Sequence, residues 1–165
     1  MDELHLLPYD EYIARLPRKR MSAGILLRDE RGRVLMVEPS YKPYWEIPGG
    51  VVETGEAPWT TAVRELHEEI GLTTAPGQLV VIDYVPPDND SLPERIAFVF
   101  DGGLIDAEQV AGLMFGPEIV SARLCTSEEI RQLATPLLAN RLAAAVDAVT
   151  SGVPSLCEGG KRVAR

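Results

Sequence analysis

A chain of 165 residues with 45% apolar and 25% charged side chains can bury one core without disulfides or a structural metal, and that balance excludes disorder throughout. Twenty-five acidic residues against sixteen basic ones leave a net charge of −9. This argues against a general nucleic-acid binder, which shows a basic face to the phosphate backbone, and leaves small anionic ligands if metal ions bridge them to an acidic site.

Residues 1–20 end in the basic group RLPRKR and precede the first strong strand signal, so they are expected to form an extension packed on the domain or swapped across it. The basic group reads as a solvated turn, with phosphate contact as the alternative. SAGILLRD and VLMVEPS flank a turn containing Gly32 and predict a β-hairpin. YKPYWEIPGG, punctuated by Pro43 and Pro48, predicts a short strand entering a loop. A helix follows, ending near Gly71. QLVVIDYV and RIAFVFDGG predict strands either side of the turn-rich PPDNDSLPE, and IVSARLC predicts another, with Cys125 as a small core residue. A helix begins at Ser127 with Glu128 and Glu129 in its first turn, and a second runs from Pro136 to about Val149. Periodicity is lost in SGVPSLCEGGKRVAR, which predicts a mobile tail over 151–165. Strands bracketing one helix and followed by others predict an α/β domain over 21–150.

The acidic helix carries the chemistry. At about 100° per residue, Trp59, Ala62, Val63, Leu66 and Ile70 share a core-facing stripe, while Glu65, Glu68 and Glu69 project from a neighbouring one. Thr60 or Thr61 is a candidate cap, with Pro58 in the first turn. Like charges at this spacing cost roughly 0.2–0.5 kcal/mol per pair. In the last turn the helix dipole adds roughly 0.3–1 kcal/mol per residue. Three glutamates on a helix ordinarily mean a wet face. Here the upstream PGGVVETGE brings a glycine loop with Glu53 and Glu56 to the same place, and clustered carboxylates suit hard cations such as Mg²⁺ or Mn²⁺, which also bind substrate phosphates.

From Gly50, five residues lead to Glu56, seven more to Arg64, and the chain continues Glu65, Leu66, any residue, Glu68, Glu69, any residue, Gly71, Leu72. This run resembles the signature of the Nudix hydrolases (MutT-like) at every specified position. The signature covers 23 of the 165 residues, and WEIPGG with the element order extends a looser similarity over about 21–149. The resemblance implies an α/β/α sandwich with a mixed β-sheet between helices and hydrolysis of a pyrophosphate linkage in a nucleoside diphosphate derivative. It implies Glu68 and Glu69 as principal metal ligands, Glu65 as a ligand or the group that activates water, and Arg64 orienting Glu56 or Glu65. Gly50, with Gly49, would let the loop pass close to the metal, and Leu66 and Leu72 would pack. Hydrolysing a phosphoanhydride requires neutralised phosphate oxygens and an activated water, which Mg²⁺ or Mn²⁺ with a carboxylate base would supply.

Some members of the family take the base from another loop, for which Asp88, Asp90, Glu94 and Glu118 are candidates. Pro87, fifteen residues beyond Leu72, is similar to a marker proline of ADP-ribose pyrophosphatases and tilts the substrate towards ADP-ribose or a nucleotide sugar. Tyr41, Tyr44 and Trp45 are candidates for stacking on a base, with packing as the alternative for Trp45. The second functional reading is a catalytically silent Nudix module that binds a nucleotide for regulation. The expected partner is a small nucleotide derivative, with residues 1–20 available for a homodimer, and neither a nucleic acid polymer nor a membrane. Cys125 and Cys157 form no CxxC pair or disulfide framework, the start lacks the features of a secretory leader, and no apolar stretch approaches the roughly 18 residues of a membrane span. A cytoplasmic location is expected.

Overall fold

The computed structural model describes residues 7–88 and 92–164. Its elements are α1 (Tyr9–Ala14), β1 (Arg20–Arg28), β2 (Val34–Pro39), β3 (Gly49–Val51), α2 (Pro58–Ile70), β4 (Leu79–Val85), β5 (Arg95–Leu104), α3 (Ala107–Ala111), β6 (Ile119–Cys125), α4 (Ser127–Leu133), α5 (Pro136–Ser151), β7 (Ser155–Glu158) and β8 (Lys161–Arg162). The strands form one sheet in the order β6-β2-β1-β5-β4-β7-β8, with β3 also paired to β1. β1–β5 and β4–β7 are parallel and the other pairs antiparallel, so the sheet is mixed.

β1 and β2 make the hairpin expected around Gly32, which sits at φ 76. Asp29 closes the turn by accepting the backbone N–H groups of Arg31 at 3.0 Å and Arg33 at 2.8 Å. Pairing between these strands is recorded only at Arg28↔Val34. Nearer the start of β1 its edge is taken by β3, with Ser22↔Val51, Ala23↔Gly50 and Gly24↔Gly49 in register. The parting of the hairpin thus seats the glycine loop in the sheet.

Alternate residues of the central strands face opposite layers. Leu26, Val34 and Met36 cluster with Ile130 of α4 and Leu138, Leu142 and Ala145 of α5. Ile25, Leu27, Leu35 and Val37 cluster with Ala62, Leu66 and Ile70 of α2. The fold is therefore the expected α/β/α sandwich, and both faces being covered explains why GILL and VLMV are apolar without a break. α4 and α5 start as expected, with the Thr126 and Thr135 side chains accepting from the backbone N–H of Glu129 and Leu138 and with Pro136 in the first turn of α5.

Four local expectations are corrected. The segment 151–165, expected to be mobile, supplies β7 and β8. β7 pairs in parallel with β4 (Val81↔Ser155 to Tyr84↔Glu158) and buries Cys157. Trp59, placed on the core stripe by its angle, is 55% exposed, while Thr61 is fully buried. It belongs to the first turn of α2, where the packed face has not begun. Neither Thr60 nor Thr61 caps that helix: Ala57 occupies the N-cap without a side-chain bond, and the Thr61 hydroxyl instead donates to Glu56 at 2.6 Å. Within 1–20 there is a short helix, α1, and Arg20 already belongs to β1. Among the described residues, no helix is long and apolar enough to cross a membrane.

Candidate active site

α2 presents its carboxylates beside the glycine loop because Leu66 and Ile70 are fully buried on the neighbouring stripe, which fixes the rotation of the helix. Its C-terminus closes on Gly71 at φ 74, whose N–H reaches the His67 carbonyl. Two further carbonyls, which a helix end leaves unsatisfied, accept from the following loop: Met114 N–H donates to Ile70 at 3.2 Å and Gly116 N–H to Glu69 at 2.9 Å. A Cβ at Gly116 would run into the Glu68 carbonyl, so only glycine lets this loop lie so close.

Arg64 organises the acidic cluster. Its Nε and Nη2 donate to the two oxygens of Glu56 at 2.9 and 3.0 Å, and its Nη1 donates to Glu65 at 2.8 Å and Glu68 at 3.0 Å. The fork-to-fork contact with Glu56 is the geometrically specific one. Hydrogen bonds from Arg64 and then Thr61 hold the Glu56 carboxyl down at about 2, and its hydrogen bond from Arg64 pushes the guanidinium further up.

Glu65 and Glu69 lie against the loop. The Glu65 carboxylate fills the space where a Gly50 Cβ would go, and Glu69 Oε2 accepts the Gly49 N–H at 2.9 Å. Burial raises the Glu65 carboxyl against the lowering influence of Arg64. Burial also lifts Glu69, to about 8, opposed by the Gly49 N–H and reinforced by the negative charges of Glu65, Glu46 and Glu118. Glu68 is the outermost, with its side chain 56% exposed. The structure therefore brings Glu65, Glu68 and Glu69 to one edge of α2 and adds Glu46 and Glu118.

Of the four base candidates, Glu118 is the one beside this cluster. Its backbone carbonyl is pinned by Ser40 N–H at 2.8 Å, and its charge acts on both Glu65 and Glu69. Glu94 is engaged elsewhere, with Lys19 at 2.5 Å and the Tyr84 hydroxyl at 2.6 Å. Asp88 accepts the Leu92 N–H, and Asp90 lies outside the described residues. Glu46 was missed by sequence reasoning. The only signal was its place in WEIPGG three residues before Gly49, and what locates it is the bridge to Val37.

Gly49, Gly50 and Glu46 line a cleft of about 380 Å³ that Tyr41, Lys42, Arg20, Arg95 and Arg141 also line. Tyr44, Trp45 and Pro87 do not line it. Trp45 packs on the core beneath the Arg123 guanidinium at 5.3 Å, the packing role weighed for it, while Tyr44 and Pro87 are exposed.

The donor chemistry can be tested against a metal. A buried carboxylate with one backbone donor and three acidic neighbours is the environment a hard cation relieves. Among the described residues, however, no three His, Cys, Asp or Glu side chains already converge as a ready cage, and Arg64 Nη1 bridges Glu65 and Glu68 instead. The oxygen set fits Mg²⁺ or Mn²⁺ in kind, with Glu68 bonded to the guanidinium through Oε2.

A family model described as the NUDIX domain matches residues 18–146. The chain belongs to the NUDIX family. This NUDIX chain is 31% identical over 117 residues to a MutT-like protein of Streptomyces ambofaciens, covering 67% of this chain and 72% of that one. It is 42% identical over 53 residues to an RNA pyrophosphohydrolase of Francisella tularensis subsp. mediasiatica, a match spanning only about a third of that protein's length (34%). The crystal structure of a MutT protein from Methanosarcina mazei Go1 superposes with a TM-score of 0.64 at 25% identity, over 82% of this chain and 98% of that one. NUDIX membership with an intact signature makes the protein a hydrolase of the pyrophosphohydrolase class.

One consequence concerns the NUDIX loop itself. A Cβ on Gly49 would penetrate the Ala23 carbonyl and stand 2.6 Å from Gly24 Cα, both backbone atoms of β1. Gly49→Ala is expected to cost about 1–3 kcal/mol, as overpacking does, and to lower the thermal midpoint by several degrees, whereas Gly112→Ala, whose Cβ meets nothing nearer than 3.6 Å, leaves it unchanged. Thermal unfolding of the two variants checks this.

Proposed function

We propose that this NUDIX hydrolase cleaves the pyrophosphate linkage of a nucleoside diphosphate derivative, with Mg²⁺ or Mn²⁺ held by Glu65, Glu68, Glu69 and the Gly50 backbone. The observation that carries the reading is the seating of Glu65 and Glu69 against Gly49 and Gly50, two glycines that line a cleft to which Arg20, Lys42, Arg95 and Arg141 also contribute. When bound, the cation neutralises charge on the phosphate oxygens and makes a water more acidic. The protein's part is positional. Arg64, locked to Glu56, keeps Glu65 in place. Glu65, its affinity for a proton raised by burial, takes the proton of the attacking water, and Glu118 is the reserve acceptor next to it. The Gly49 N–H keeps Glu69 turned to the loop. For the substrate, the tilt towards ADP-ribose or nucleotide sugars rests on the spacing of Pro87, which stands outside the cleft.

ADP-ribose, nucleoside diphosphate sugars, dinucleoside polyphosphates and nucleoside triphosphates, incubated with Mg²⁺ or Mn²⁺ and resolved by product, test this. The expected result is release of a nucleoside monophosphate or phosphate from at least one of them, abolished by EDTA and restored by added metal. Turnover that persists in excess EDTA, or binding without turnover across the panel, would overturn it, the latter in favour of a regulatory nucleotide-binding module.

A further inference from the structure

The cleft contains more positive charge than the scissile linkage accounts for. Arg20 and Arg95 are direct neighbours in the parallel register of β1 and β5, and Arg141 reaches the same cleft from α5. Like charges set side by side on adjacent strands are destabilising by themselves. The local anions do not balance them. Asp83 is taken by Arg141 Nε at 2.7 Å, and Glu46 is paired with Lys42 at 2.7 Å. Among the described residues, Arg20, Lys42, Arg95 and Arg141 thus stand against the carboxylates of Asp83 and Glu46 in a protein whose overall charge is −9.

The donors are also unfilled. The Arg141 side chain is 9% exposed, and its Nη2, like Arg20 Nε, is buried without a hydrogen-bond partner among the described residues. Among the described residues, the Arg20 guanidinium donates from Nη2 to the Pro93 carbonyl at 2.7 Å. Buried unpaired guanidinium N–H groups are costly, so a native site that retains them is built for an acceptor. A guanidinium fork matches phosphate oxygens two at a time. Burial, together with the charges of Arg141 and Arg20, also lowers the proton affinity of Arg95, as expected of a cation waiting for an anion.

We propose that Arg20, Arg95 and Arg141 form a second phosphate site in the cleft, which takes a phosphoryl group of the substrate other than the scissile pyrophosphate. Resting on the hydrolase reading above, this narrows the substrate to nucleotides with an additional phosphate, carried either on a ribose hydroxyl or as an extension of the polyphosphate chain. Tyr41 lines the same cleft and offers an aromatic face to a base or ribose.

The decisive variants are Arg95→Gln and Arg20→Gln, since Arg141 is tied to a buried carboxylate and its loss risks the fold. Two matched pairs are compared with Mg²⁺ present: ADP-ribose with its 2′-phosphate, and a nucleoside diphosphate with its triphosphate. In the wild type, at least one pair is expected to favour the extra phosphate by about tenfold or more in kcat/KM, the scale of a charge-assisted hydrogen bond. That ratio should collapse towards unity in Arg95→Gln, mainly through KM. The responding pair identifies where the phosphate is carried. A ratio near unity in the wild type, or one unchanged in both variants because all substrates suffer equally, would overturn the second site and leave the hydrolase reading intact. A readout independent of turnover comes from metal-free protein in EDTA. Inorganic phosphate should raise the thermal midpoint of the wild type and not that of Arg95→Gln, and equal shifts in the two would also overturn the proposal.

Discussion

Glu69→Gln is expected to lower turnover about a thousandfold, the several kcal/mol that a metal's charge stabilisation supplies to a phosphoryl transition state, while leaving the metal-free fold intact or firmer. Gln keeps the shape of the side chain and an oxygen for the Gly49 N–H, which now meets Glu69 Oε2 at 2.9 Å, but it removes the charge. That charge is unwelcome in the metal-free protein, because burial and the carboxylates of Glu65, Glu46 and Glu118 hold the Glu69 carboxyl at about 8 instead of near 4.5. A carboxyl raised in the folded state binds its proton more tightly there than in the unfolded chain, so this group subtracts stability as pH rises from about 4.5 to about 8 and then levels off. At roughly 1.4 kcal/mol per unit the loss is on the order of 5 kcal/mol. In EDTA the difference in thermal midpoint between Glu69→Gln and the wild type should therefore widen from pH 5 to pH 8 in favour of the variant. With Mg²⁺ present the order should narrow or invert, since only the wild type gains the full ligand set. A variant that retains wild-type turnover would remove Glu69 from the metal site, and a difference constant with pH would show that its carboxyl is not raised.

Asp83→Ala should be the most destabilising of these substitutions. Asp83 is fully buried and joins three parts of the fold: it lies on β4, accepts Arg141 Nε of α5 at 2.7 Å, and accepts the Gly160 N–H at 3.0 and 3.1 Å. Gly160 in turn passes against the Leu137 carbonyl, where a Cβ would not fit. Removing the carboxylate leaves a guanidinium buried without its counter-charge, a change that costs about 3–5 kcal/mol. At roughly 2–4 °C per kcal/mol for a chain of this size, the thermal midpoint should drop by at least about 6 °C, and protection from amide exchange should be lost first in β7 and β8. The double change Asp83→Ala with Arg141→Leu should recover much of that loss, because the uncompensated charge goes with its partner. If the single variant unfolds within about 1 °C of the wild type, the buried pair does not hold these elements together.

The difference in legibility between the two sites follows from how each is built. The acidic cluster lies on one helix and the loop before it, so its spacing is written locally. Three glutamates at helical intervals must share a face, and an arginine four residues from Glu68 must be able to reach it. The arginine cluster has no such local trace. Arg20 sits in a basic group that reads as a solvated turn, Arg95 opens a strand, and Arg141 falls among alanines and leucines on a helix. Nothing short-ranged joins positions 20, 95 and 141, and Glu118 likewise reads as one surface acid among several until the loop after α3 docks on the end of α2.

The sequence by itself determined the family, the hairpin, the order of the main strands and helices, and the group of carboxylates, because each depends on periodicity or spacing within about twenty residues. Tertiary structure alone decided the rest: that the hairpin parts to admit the glycine loop, that β7 and β8 extend the sheet beside β4, and that three arginines line one cleft with the glycine loop. Pairing of strands distant in the chain is set by which apolar faces and buried charges find one another, and that choice leaves no mark on any single segment.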